Sequence, residues 1–331
     1  MQPILKVDNL CVDFNSDGKK IRALDNISFD VKQGETVCIV GESGSGKSVT
    51  SLSIMRLLEY ENGSIASGEI LFEGEDLAQK SQHDMRDIRG NDISIIFQEP
   101  MTALNPVFTI GRQLMEGVMR HKKVSKDEAY NRALELLELV GINDVKVRMK
   151  QHPHELSGGM RQRIMIAIAL ACNPKLLIAD EPTTALDVTI EAQIINLLNE
   201  LKEKINMSII FITHDMGVAA EIADKIIVMY AGKVVEEGTV YQIFDEPTHP
   251  YTKGLLQSIP TEKEGRKQKL YSIEGTIPSL TDLPTGCRFH PRCEFATDQC
   301  RQVEPSLQDV NGRKVACWNY DKVIGKDKVE S

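Results

Sequence analysis

Gly41-Glu42-Ser43-Gly44-Ser45-Gly46-Lys47-Ser48 is the stretch on which the fold turns. It reads G-x-x-x-x-G-K-S, a phosphate-binding loop. Upstream, Glu35-Thr-Val-Cys-Ile-Val40 is short, apolar and rich in β-branched residues, the composition of a buried strand. Downstream, Ser48 to Leu58 contains no Gly or Pro and reads as a helix. Strand, glycine-rich turn and helix are the context such a loop needs; without it the same residues would be a flexible Gly/Ser turn. Glycines let the backbone curl with its N–H groups inward, and the helix N-terminus adds positive potential, so a polyphosphate is cradled. Lys47 supplies a point charge for the outer phosphates, and Ser48 can offer its hydroxyl to Mg²⁺.

Working outward, the 331 residues can hold two domains. Apolar residues make up 41% and charged residues 26%, ordinary for a soluble globular protein. A net charge of −9 and a pI near 5.4 argue against a nucleic-acid partner, which needs a basic face. No run approaches the ~18 apolar residues of a membrane span. Met1-Gln-Pro-Ile-Leu lacks the basic-then-apolar profile of a signal peptide. The expectation is a cytosolic chain, still able to sit on a membrane by binding a spanning partner.

Residues 1 to 40 read as β structure, with Ile4 to Phe14 and Ile27 to Val31 as strands around the turn cluster Asn15 to Lys20. The stretch 59 to 90 is polar, with one short strand at Glu69 to Phe72. Asp92 to Phe97 is a buried strand candidate ending at Gln98-Glu99-Pro100. Residues 110 to 145 read as helical, with a capping box at Ser125 and Glu128 and closure at Gly141. Ser157-Gly158-Gly159 opens a helix whose Ile164 to Ala171 portion is apolar on all sides, hence buried. Strands follow at Leu176 to Ala179, Ser208 to Thr213 and Lys225 to Tyr230, with helices between them and a hairpin arm at Gly232 to Gly238. The alternation implies a mostly parallel sheet covered on both faces. After about 240 the composition changes: seven of the chain's thirteen prolines lie there. The expected division is 1–240 and a small irregular domain, 241–331.

Four further elements sit at strand ends or helix starts, where ligands bind in α/β sheets. Leu176-Leu-Ile-Ala-Asp180-Glu181 ends an apolar strand in two carboxylates. Asp180 suits Mg²⁺, directly or through water, and Glu181 is the candidate general base for an attacking water. Leu156-Ser157-Gly158-Gly159-Met160-Arg161-Gln162 is a second anion site in the form of a capped helix N-terminus. Gln98 is an uncharged donor and acceptor suited to Mg²⁺ or the lytic water. His214 can donate to a γ-phosphate. Alone, each would pass for a solvated strand end, an ordinary cap or a surface side chain.

Together with Ala185-Leu186-Asp187, these elements resemble the ordered motif set of the ATP-binding-cassette (ABC) ATPases: Walker A, Q-loop, LSGGQ-type signature, Walker B, D-loop and H-loop. The signature departs at Met160, where the name motif has Gln; the Ser-Gly-Gly amides remain. Phe97-Gln-Glu-Pro-Met-Thr-Ala-Leu-Asn-Pro106, His152-Pro-His-Glu-Leu-Ser-Gly-Gly-Met160 and Glu246-Pro-Thr-His-Pro-Tyr-Thr252 are similar to ATPase subunits of dipeptide, oligopeptide and nickel importers. The resemblance implies a P-loop NTPase of the ABC type: a mixed RecA-like α/β core, an antiparallel β subdomain and a helical subdomain at about 99–163. It implies ATP and Mg²⁺ held by Gly41, Ser43, Gly44, Ser45, Gly46, Lys47, Ser48 and Val49, with Phe14 as the candidate for stacking on adenine. It implies a head-to-tail dimer, homo- or heteromeric, in which the Ser157, Gly158 and Gly159 region of one subunit completes the site of the other and Asp187 lies at the interface. Partners would be two membrane permease subunits, a second ATPase subunit and, indirectly, an extracellular solute-binding protein. The chain would sit peripherally on the cytoplasmic side of the membrane and power import of di- or oligopeptides. Nickel or another small solute is the alternative cargo; a soluble ABC switch is the alternative class, disfavoured by the single cassette and acidic charge.

Cys11, Cys38 and Cys172 are scattered in apolar surroundings and read as core residues. Cys287, Cys293, Cys300 and Cys317 cluster in a Pro-rich, weakly apolar segment that a metal would stabilise. Zinc ligands normally come in closely spaced pairs, which are missing here; four well-separated cysteines suit a [4Fe–4S] cluster better, with zinc or no metal at all as the alternatives and His290 as a less favoured ligand. Members of the resembled subfamily can carry such a cluster here. The expected role is structural.

Overall fold

The computed structural model describes residues 2–16, 18–98, 103–183, 187–259 and 271–326. In chain order the strands are β1 Leu5–Ser16, β2 Lys19–Val31, β3 Thr36–Val40, β4 Gly63–Phe72, β5 Glu75–Asp76, β6 Ile93–Ile96, β7 Leu176–Asp180, β8 Ser208–Thr213, β9 Lys225–Tyr230, β10 Lys233–Thr239, β11 Gln308–Val310 and β12 Arg313–Val315. Two compact units emerge. One comprises Met1–Ile4, Val31–Glu35 and Gln79–Ile212; the other comprises Leu5–Asp30, Thr36–Ala78 and Thr213–Ser331.

In the first unit β6, β7 and β8 run parallel, with Ile93 opposite Leu176 and Leu176 opposite Ser208. Every residue of β7 and β8 is buried, as expected for parallel strands covered on both faces. The region read as helical at 110–145 contains the helices Ile110–Lys122 and Lys126–Leu139 and a short turn of helix at Val145–Arg148. The first ends at Lys123 in the left-handed conformation, φ 51°. The second has the expected reciprocal cap: Ser125 Oγ accepts the Glu128 N–H, and the Glu128 carboxylate accepts the Ser125 N–H at 2.8 Å. Gly141, φ 73°, closes it by donating to the Glu138 carbonyl. Ile164, Met165, Ile166 and Ala167 are buried around the helix Gly158–Ala169, so its lack of a polar face reflects burial.

In the second unit β2, β1, β4 and β5 form one sheet, and β11, β12, β10, β9 and β3 lie side by side in another. β3 and β9 are parallel; β9, β10, β12 and β11 are successively antiparallel. The β region is longer than the sequence implied. β1 and β2 absorb most of the 15–20 turn cluster, and β4 starts at Gly63, well before Glu69. Polar residues can occupy these positions because β4 is exposed along much of its length. A helix at Gln82–Ile88, within the stretch read as polar loop, buries Met85 alone, which leaves no periodic signal; its Ser81–Asp84 capping box was the legible trace. Past 240 lie the short helices Val240–Asp245, Pro250–Gln257, Asp298–Gln302 and Tyr320–Lys326 and the β11–β12 hairpin.

The Glu246-to-Thr252 stretch surrounds a buried carboxylate. Glu236 accepts the N–H groups of Thr248 and His249 at 2.7 and 2.9 Å, as well as the Thr248 hydroxyl. His249 caps the helix Pro250–Gln257 by accepting the Tyr251 N–H on Nδ1 at 3.1 Å. Burial holds its pKa down to about 3 from 6.5. The folded imidazole therefore stays neutral while the unfolded one protonates, so stability falls as pH drops from about 6.5 towards 3. Lowering pH from 6.5 to 5 is expected to cost about 2 kcal/mol through this residue. Burial raises the Glu236 pKa, an opposing contribution common to parent and variant. His249→Asn, which keeps a capping oxygen, should therefore show a pH–stability slope flatter by that amount in denaturant titrations; identical slopes would exclude the effect.

Candidate functional site

The phosphate loop leaves β3 at Gly41, φ 151°, where a Cβ would lie 2.3 Å from the Met229 carbonyl oxygen. Gly46, φ 109°, caps the helix Lys47–Ile54, and a Cβ there would approach Leu24 Cδ2 to 2.8 Å. Both positions require glycine. Between them Ser43 and Gly44 are exposed and Ser45 is buried. Ser45 donates its N–H to the Glu42 carbonyl at 3.2 Å and accepts the Gly232 N–H at 2.8 Å. Lys47 is buried, and its ammonium donates to the carbonyls of Gly41 and Glu42 at 2.8 and 3.2 Å. Ser45 Oγ is buried with no hydrogen-bond partner among the described residues. Ser48 is exposed in the first helical turn, with Val49 half-buried behind it. A glycine-built bend, a buried ammonium resting on main-chain oxygens and an orphan hydroxyl fit a polyphosphate. Phe14, half-buried at the end of β1, packs on Gly63, where a Cβ would be 2.9 Å from its ring.

Two further groups hold the loop, and the sequence alone did not point to them. The Glu42 N–H donates to the Tyr251 hydroxyl at 2.9 Å. The Glu42 carboxylate takes a bidentate pair from Arg292, at 2.7 and 3.0 Å.

In the other unit β7 ends at buried Asp180, and Glu181 follows at φ 46°. A left-handed non-glycine residue costs roughly 1–2 kcal/mol and persists where the surroundings fix it. Here the Glu181 N–H donates to the Ile212 carbonyl at 2.9 Å. Its Oε2 accepts the Gln98 amide at 2.9 Å, so these two candidates meet beyond the ends of adjacent strands. Gln162, buried in the helix Gly158–Ala169, donates to the Pro182 carbonyl and ties that helix to the turn after Glu181. Ser157 is the N-cap of the same helix, accepting the Met160 N–H at 3.4 Å. Ser157 and Gly158 are exposed, and a Cβ on Gly158 would meet open space. Asp187, also exposed, caps the helix Val188–Ile205 by accepting the Ile190 N–H at 3.0 Å. Ala185 and Leu186 lie outside the described residues, as does 99–102 of the Phe97-to-Pro106 stretch.

His214 is exposed directly after β8. The next residue, Asp215, caps the helix Met216–Ile222 through the Gly217 N–H at 2.7 Å. Cys287, Cys293, Cys300 and Cys317 are all free thiols in the second unit. Burial pushes the Cys293 thiol up to about 11 and that of Cys317 up to about 12, with charge on the other cysteines of the set adding to both. Among the described residues no three His, Cys, Asp or Glu side chains are placed to share one metal ion, so the geometry by itself establishes no metal-binding domain. No described helix is long and apolar enough to cross a membrane.

Fold and site together define an ABC-type ATPase. The ABC transporter family matches residues 24–184, and the oligopeptide/dipeptide transporter C-terminal region matches 235–300. An oligopeptide transport ATP-binding protein, AppD of Bacillus subtilis, is 54% identical over 97% of this chain and 98% of its own length. The dipeptide transport ATP-binding protein DppD of Haemophilus influenzae is 53% identical, over 95% of this chain and 94% of its own. A dimeric bacterial ABC transporter cassette, MJ0796, superposes with a TM-score of 0.64 at 31% identity, over 71% of this chain and 98% of that one. A second structure of that cassette is a post-hydrolysis state bound to ADP and Pi, with the same TM-score of 0.64. The chain belongs to the family of oligopeptide/dipeptide transport ATP-binding proteins of ABC transporters.

Proposed function

We propose that this chain hydrolyses ATP to power import of di- and oligopeptides through a membrane ABC transporter. The observation that carries the reading is similarity along nearly the whole chain to oligopeptide and dipeptide transport ATP-binding proteins, the C-terminal region included. Residues 1–240 serve as the nucleotide-binding domain and 241–331 as the C-terminal domain. Gly41 to Val49 cradle the phosphates, and Phe14 stacks on adenine. Ser48, Gln98 and Asp180 hold Mg²⁺, which when bound neutralises developing phosphate charge. Glu181 accepts a proton from the attacking water, held in place by the Gln98 amide. His214 donates to the γ-phosphate. Ser157, Gly158 and Gly159 of a second ATPase subunit close over the nucleotide from the opposite side, with Asp187 at that interface; the exposure of all these groups but half-buried Gly159 supports an intersubunit role.

Closure of the ATPase pair would drive two permease subunits from the cytoplasmic face, with an extracellular binding protein delivering the peptide. The helical region offers them a groove of about 760 Å³ lined by Phe108, Met115, Met119, Tyr130 and Met149. In the C-terminal domain Cys287, Cys293, Cys300 and Cys317 would hold a [4Fe–4S] cluster, whose role when bound would be structural. Hydrogen bonds to sulfur support this. Cys300 accepts the Asn319 amide at 3.3 Å, Cys317 the Asn319 N–H at 3.4 Å, and Cys287 and Cys293 the N–H groups of Phe289 and Phe295. Such bonds stabilise thiolates that burial otherwise disfavours.

One preparation tests the proposal. The chain, purified anaerobically from membranes, should bring permease subunits with it, hydrolyse ATP faster when peptide-loaded binding protein is added, and be brown. Purification without membrane subunits, or stimulation by nickel and not by peptides, would refute the transport reading; a colourless active complex would refute the cluster.

A further inference from the structure

Glu42 is an awkward residue for its place. It puts a carboxylate on the loop read as a polyphosphate cradle, where negative charge opposes the ligand. The fold answers with Arg292, 250 residues away in sequence. The Arg292 side chain is 5% exposed, and every N–H donor of its guanidinium is used. Nη1 and Nη2 grip the two Glu42 oxygens at 2.7 and 3.0 Å. Nε donates to the Glu274 carbonyl at 2.9 Å, Nη2 also to the Ile273 carbonyl at 3.3 Å, and Nη1 also to the Tyr230 hydroxyl at 3.4 Å. Such a planar fork, fixed at all edges, holds a carboxylate in one orientation.

A second arginine works beside it. Arg288 Nη1 donates to the Ala231 carbonyl at 2.5 Å, and its Nη2 pairs with Asp25. Ala231 is left-handed at φ 45°, and the following Gly232 N–H reaches the Ser45 carbonyl of the loop at 2.8 Å. Arg288 directly follows Cys287, and Arg292 directly precedes Cys293. The turn His290–Arg292 between them is a single 3₁₀ helix. The cysteine-bearing lobe thus touches the loop at Glu42 and braces the turn that touches it at Ser45.

We propose that Arg292 is a positioning residue for nucleotide binding: it neutralises Glu42 and locks the start of the phosphate loop to the C-terminal cysteine lobe. The inference rests on the reading of Gly41 to Ser48 as the nucleotide cradle. It predicts that Arg292→Met weakens binding of Mg-ATP about tenfold, the scale seen when a partner that orients a ligating group is lost. Arg292→Lys keeps the charge and loses the fork, and should weaken binding by a smaller factor, about threefold. Because the damage is an exposed carboxylate at the cradle, Glu42→Gln added to Arg292→Met should restore most of the affinity. A residue that merely supported the fold would not be rescued this way. Titration calorimetry of the full chain measures all three, with Lys47→Ala as the reference for loss of the cradle. A large Lys47→Ala loss beside unchanged affinity in both Arg292 variants would overturn the brace alone. A Glu42→Gln, Arg292→Met double variant no better than Arg292→Met would also overturn it. Unchanged affinity in Lys47→Ala would overturn the cradle and the brace together. If Arg292→Met does not fold, the Arg292→Lys variant with and without Glu42→Gln carries the same decision.

Discussion

Glu181→Gln is expected to bind ATP as the parent does and to hydrolyse it at least about 10²-fold more slowly, the loss typical of a missing general base. The substitution is chosen for what it preserves. Glutamine matches the carboxylate in size, its oxygen can still accept the Gln98 amide now bonded at 2.9 Å, and the main-chain bond from residue 181 to the Ile212 carbonyl is untouched. The left-handed backbone at φ 46° is a demand on any side chain, so it weighs equally on both. What glutamine removes is the basic lone pair that, in the proposed role, would take the proton from water. The loss should therefore appear in kcat, with KM and nucleotide affinity little changed. Steady-state ATPase assays on the complex with its membrane subunits, beside equilibrium nucleotide binding, separate the two. Turnover within a few-fold of the parent would remove Glu181 from the mechanism and shift attention to His214. Loss of binding together with turnover would mean that Glu181 positions the nucleotide and does not activate the water.

The legible parts of this protein are those whose chemistry is local. Gly41 and Gly46 announce themselves because left-handed backbone in a tight loop admits little else. Asp180-Glu181 does so only beside that loop, since two carboxylates ending an apolar strand would alone pass for a solvated strand end. The Ser125–Glu128 cap could be read from spacing alone and is present as read. What escaped reading depends on partners distant in sequence. Arg292 and Glu42 are 250 residues apart, and nothing around Arg292 marks it among the other charged residues of a Pro-rich segment. Gln162 reads as the tail of the signature, and only the fold reveals it to be buried against the Pro182 carbonyl. The same reason explains the underestimate of β4, whose exposed positions carry Ser, Ala and Glu and whose pairing with β1 supplies the order.

Lys47→Ala is expected to weaken nucleotide binding by about 10- to 100-fold, the value of one or two charge-assisted hydrogen bonds to phosphate. The structure adds a second consequence. The buried ammonium donates to the carbonyls of Gly41 and Glu42, joining both residues at the start of the loop. Alanine leaves those oxygens to other donors or to water, so the unliganded variant should also lose about 1–3 kcal/mol of stability. Binding and stability thus draw on the same side chain, whose three N–H donors can serve both carbonyls and a phosphate oxygen. Lys47→Arg tests that sharing. Its charge is retained, but a planar fork cannot replace a compact ammonium between two carbonyls and a phosphate. Calorimetric titration paired with thermal unfolding in the presence and absence of nucleotide distinguishes the contributions. The parent should be stabilised by saturating ATP, and both variants much less so. Equal stabilisation of all three would show that the loop holds phosphate by its backbone alone and that Lys47 contributes only to the stability of the fold.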